Sequence, residues 1–185
     1  MKYVIICYLL LIGFQNTLAQ SFQETSKYLL KTEVKEDGSE FPTHVVSLSR
    51  RGGISEEFIT LTINDSELFE DILVTTLDNP GLTGVSEVIK MQVEYVACCA
   101  EVTSYYFIVK ENQEIVELPS LTNVFCDNTN AERRYIFPNE PHGVSQNIID
   151  SEISFTEDLE VLALYNEQSI AWEQKTPATK GLTSF

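Results

Sequence analysis

Three cysteines, Cys98, Cys99 and Cys126, are the residues best suited to chemistry in this chain. A thiol can form a disulfide, ligate zinc or act as a nucleophile, and its spacing and compartment decide which. Structural zinc sites use spaced pairs, whereas adjacent residues on a strand point to opposite faces, so Cys98-Cys99 makes a poor zinc clamp. A thiol nucleophile needs a base, and the two histidines, His44 and His142, each lie near a proline in what reads as an exposed loop. A disulfide is the better expectation. If Val102–Lys110 and Ile115–Leu118 form a hairpin, a four-residue loop at 111–114 sets Cys99 opposite Cys126, and a five-residue loop sets Cys98 there. Cys126 is therefore expected to pair with Cys99 or Cys98, leaving one thiol over.

Carboxylates are abundant, with 28 Asp+Glu in 185 residues. Glu56-Glu57, Glu67, Glu70-Asp71 and Glu157-Asp158 could supply the acid and base of a hydrolase, provided that folding sets two of them across a cleft. Asp127-Asn128-Thr129-Asn130-Ala131-Glu132 alternates oxygen ligands and could hold calcium, although it lacks the glycine and the spacing of an EF-hand loop. The chain has no G-x-S-x-G elbow, no H-E-x-x-H pair and no phosphate-cradling glycine loop. Arg133-Arg134 is too little for a nucleic-acid stripe. No catalytic, metal-ligating or cofactor-binding residue is assigned, and no cofactor is expected. Tyr105-Tyr106-Phe107 offers rings to both faces of a strand, which suits either a ligand platform or a strand covered on both sides. Trp172 is expected to pack the last strand against the core.

The elements that must position these residues are strands. Tyr28, Leu30, Thr32 and Val34 alternate with Lys31, Glu33 and Lys35, and Glu36-Asp37-Gly38-Ser39 follows as a turn. Similar runs are Val45–Arg50, Phe58–Ile63, Ile72–Leu77, Val88–Val96, Val102–Val109, Ile115–Leu118, Tyr135–Phe137, Ile148–Phe155 and Leu159–Tyr165. Between Ile89–Tyr95 and Val102–Ile108 the apolar parity changes from odd to even, so a tight turn or bulge is expected between Ala97 and Thr103. Ser66–Asp71 could make one helical turn, and Asn123–Glu132 and Asn139–Gln146 read as long surface loops. About 8–10 short strands with frequent turns predict an all-β, antiparallel sandwich or barrel.

Residues 1–19 read as a signal peptide. Met1-Lys2 is the basic start, Tyr3–Phe14 the apolar run, and Thr17-Leu18-Ala19 the small-residue site after which cleavage is expected. The run is too short to anchor the chain, and no later segment approaches the length of a membrane span. Residues 20–175 then form a single β-rich domain and 176–185 a flexible tail. With Lys2 gone, 11 Lys+Arg face 28 Asp+Glu, a formal charge of −17 that repels nucleic acid and anionic lipid. The expected product is a secreted or periplasmic binding or interaction module that meets a protein or carbohydrate. The alternatives are an extracytoplasmic hydrolase using paired carboxylates or a Cys/His pair, and a calcium-stabilised domain.

Overall fold

A computed structural model describes residues 20–35, 38, 40–52, 57–64, 67–126, 131–155 and 161–172. The expected leader and tail lie outside them, as do Glu56, Glu157, Asp158 and residues 127–130 of the possible calcium loop. The described residues are all-β, in antiparallel sheets packed together. None of them forms a helix long and apolar enough to cross a membrane.

Twelve strands are present among the described residues. They are β1 (Gln23–Glu24), β2 (Tyr28–Lys35), β3 (Thr43–Arg50), β4 (Glu57–Ile63), β5 (Phe69–Asp78), β6 (Val85–Val96), β7 (Ala100–Lys110), β8 (Ile115–Glu117), β9 (Leu121–Phe125), β10 (Ala131–Ile136), β11 (Asn147–Phe155) and β12 (Val161–Ala171). The middle sheet runs β1-β5-β6-β7-β8, with β9 also paired to β7, and two three-stranded sheets, β2-β3-β4 and β10-β11-β12, accompany it.

Strands β6 and β7 are apolar on both parities because both faces are covered. Ile89, Met91, Val93, Phe107 and Val109 pack with Tyr28, Val46, Leu48, Ile59 and Ile63 of the β2–β4 sheet. Val88, Tyr106 and Ile108 point the other way, into a second core with Tyr135, Phe137 and Ile148. Tyr106 and Phe107 thus serve opposite cores, which is why the run carries rings on both sides. Trp172 packs against the second core, and its indole N–H donates to the Thr83 carbonyl at 3.1 Å.

Two expectations are corrected. Ser66–Asp71 gives no helical turn in its described part, because Phe69–Asp71 opens β5; a bulge between Phe69 and Asp71 breaks the alternation that would have marked a strand. The supposed loop Asn123–Glu132 is strand at both described ends, in β9 and β10. Asn123 lies buried between these two strands, where its side-chain amide donates to the Arg133 carbonyl at 2.9 Å and accepts from the Arg133 N–H at 2.7 Å. A turn-forming residue here replaces a backbone pairing and ties β9 to β10.

Candidate functional site

The cysteines lie at one end of the middle sheet. The turn between β6 and β7 is Ala97-Cys98-Cys99, closed by the Ala97 N–H donating to the Cys99 carbonyl at 3.2 Å. Because Ala100 pairs with Phe125, the next positions outward are Cys99 and Cys126, and these form a disulfide with Cα atoms 4.7 Å apart. Between β7 and β8 Val109 pairs with Ile115, a register that carried outward would set Cys98 opposite Cys126, and a shift of one residue between β8 and β9 brings Cys99 there instead. Cys98 is a free, exposed thiol at the turn tip. It lines an open hollow of about 420 Å³ with Leu68, Tyr95, Cys99 and Val124, and no histidine lines that hollow.

The histidines are elsewhere. His44 lies on β3 rather than in an exposed loop, with its ring edge-on to Phe69 at 5.0 Å and its Nδ1 buried without a hydrogen-bond partner. His142 lies exposed in a turn at a positive φ of 67°. Glu67, Glu70 and Asp71 are exposed, and Asp71 caps the Ile72 N–H at 2.7 Å. No group of three His, Cys, Asp or Glu among the described residues is arranged to hold a metal ion.

What folding does bring together is a partly buried charge cluster. Lys90 on β6 pairs in register with Tyr106 and shares its face with Val88, so its stem enters the second core and leaves the residue 8% exposed. Its Nζ is 5.7 Å from the Tyr106 ring centroid and 5.9 Å from that of Phe22, and 3.7 Å from Glu132 Oε1. From β10, Arg134 sets Nη2 3.8 Å from Glu140 Oε1. Arg134 Nε is buried and has no hydrogen-bond partner.

Glu140, 6% exposed, is held by the turn after β10: its Oε2 accepts the Phe137 N–H at 2.9 Å, and the Gly143 N–H donates to its carbonyl at 3.0 Å. A Cβ at Gly143 would collide with the Phe137 carbonyl oxygen, so glycine is needed for the turn to close. Burial pushes the Glu140 carboxyl above the usual range, against the Phe137 N–H and the nearby cations. Burial likewise pulls the Lys90 ammonium down, with Glu132 opposing.

A hollow of about 190 Å³ opens at this cluster, lined by Ser21, Phe22, Lys90, Tyr106, Arg134 and Glu140 among others. Phe22 sits edge-on to both Tyr106 and Phe137 at 6.0 Å. No family model, curated protein or solved structure matches this chain.

Sequence reasoning passed over Lys90 and Glu140, and it weighed Glu132 only for a calcium loop and Arg134 only for a nucleic-acid stripe. The one available signal was a lysine inside Val88-Ile89-Lys90-Met91, a run otherwise apolar on both parities. The other three come from separate positions that only the fold assembles.

Proposed function

We propose that the chain is an exported, non-enzymatic binding module whose ligand site is the hollow beneath Phe22. The leader-like start supports export, and the Cys99–Cys126 disulfide is consistent with an oxidising compartment, secreted or periplasmic. The observation that carries the binding reading is the cluster itself. Four ionisable side chains are drawn into and around a core beside an open hollow, where an all-apolar packing would stabilise the fold more simply. At about 190 Å³ the hollow suits a small molecule or the tip of a larger one.

The test is a thermal-shift panel of small sugars, amines and carboxylates on the wild type and on Lys90→Met. A compound that raises the wild-type Tm and leaves the variant unmoved supports the reading. A panel that moves neither protein removes it.

A hydrolase is the second reading, favoured by one specific observation: Glu140 and Lys90, titrating toward each other, line the same hollow. It requires turnover of chromogenic esters or glycosides that Glu140→Gln abolishes. Turnover equal in wild type and variant would exclude this site from any hydrolysis.

A further inference from the structure

We infer that the hollow beneath Phe22 takes a small monocarboxylate, its oxygens bound by Lys90 and Arg134 and its body set against Phe22 and Tyr106. This names the ligand class of the proposed binding site and rests on that reading.

The argument begins with unmet donors. A lysine ammonium carries three N–H groups and a guanidinium five. Lys90 Nζ stands 3.7 Å from Glu132 Oε1, and Arg134 Nη2 stands 3.8 Å from Glu140 Oε1. Both distances exceed hydrogen-bond reach, so these carboxylates balance charge without satisfying the donors. Arg134 Nε, buried and without a partner, adds a third. Of these donors Arg134 Nε alone is buried with no partner, the other two lying on residues that line the hollow; a buried donor left unmet is costly, and an oxygen acceptor entering the hollow relieves that cost. Glu140 is unable to supply it through Oε2, which already accepts the Phe137 N–H.

Charge and size narrow the class. Lys90 and Arg134 balance Glu132 and Glu140 formally, so the site tolerates one added negative charge better than two. Burial holds the Glu140 carboxyl above the usual range, which reduces the negative charge that faces a ligand. The whole chain is strongly acidic, at −16 in the full sequence, and disfavours polyanions further. A carboxylate also matches the fork of a guanidinium, and its binding is strengthened by charge. The remaining walls include the Phe22 and Tyr106 rings, which fit an apolar body of about benzoate's size rather than a drug-sized ligand.

The experiment titrates the full folded chain with benzoate and with benzamide, its neutral isostere, following amide shifts by NMR. The wild type is expected to saturate with benzoate at least ten-fold more tightly than with benzamide. Lys90→Met and Arg134→Gln, each checked for an intact fold by near-ultraviolet circular dichroism, should weaken benzoate ten-fold or more. Equal affinity for the two probes overturns the carboxylate class while leaving the pocket as a binding site. Failure of both probes to bind overturns the class, with the thermal-shift panel then deciding the pocket. Benzoate affinity unchanged in both folded variants places the ligand elsewhere and also overturns the inference.

Discussion

Lys90 and Glu140 are perturbed in opposite directions for one reason: burial disfavours the charged form of each. The consequences for stability follow from the signs. Glu140 binds its proton more tightly in the folded chain, so its favourable contribution is complete below its unfolded value and is lost as pH rises through the raised folded value. Lys90 is the converse, contributing fully above the ordinary lysine range and losing that contribution as pH falls through its lowered value. Glu140→Gln keeps the acceptor for the Phe137 N–H and removes the titration. The Tm of this variant should match wild type at about pH 4 and exceed it by a few degrees at about pH 7, where the folded wild type must carry a buried carboxylate. A constant difference across that range in thermal melts would contradict the assignment. The disulfide belongs to the same scale. In urea denaturation Cys126→Ser should cost about 3–4 kcal/mol in the chain-entropy model. Cys98→Ser, at an exposed site, should stay within about 0.5 kcal/mol.

Among the elements, β9 and β10 show what alternation reveals and what it hides. Strand β2 announces itself by period-two patterning, and it begins and ends where that pattern does. Strand β9 escapes notice because its buried centre is Asn123, a residue more often found in turns, and because Pro119-Ser120 and Cys126-Asp127-Asn128 flank it with loop-like composition. Strand β1, two residues long, has no pattern to read. Asn123→Leu preserves volume and removes both bonds to the Arg133 backbone. It should cost about 1–2 kcal/mol, because a part-buried N–H and carbonyl lose their partners, and should speed hydrogen exchange at the Arg133 amide. Unchanged exchange there would mean that β9 and β10 are held together by something other than this amide.

For the whole molecule, the deciding property is that the centre of the middle sheet, in β6 and β7, is buried on both faces. Val88 and Ile89 are sequence neighbours that belong to different cores, and both are 0% exposed. Val88→Ala and Ile89→Ala should therefore each cost about 2–4 kcal/mol. A sheet with one wet face would leave one of the pair within about 0.5 kcal/mol of wild type. The rings of Tyr105-Tyr106-Phe107 made this two-sided burial legible in the sequence, and antiparallel packing followed from the short strands. The charge cluster was not legible. Its members lie 42 residues apart at their nearest approach to Lys90, and each reads alone as an ordinary surface residue until β6 is known to have no surface face.

The position of Cys98 beside the Cys99–Cys126 bridge bears on how the protein is to be prepared. In a chain that begins after the proposed leader, three thiols permit three single bridges, so oxidative refolding offers two mispaired isomers for every correct one. A thiolate next to a bridged sulfur also provides a route for scrambling at alkaline pH. Cys98→Ser closes that route and leaves one way to oxidise, which makes it the natural background for refolding and long-term storage.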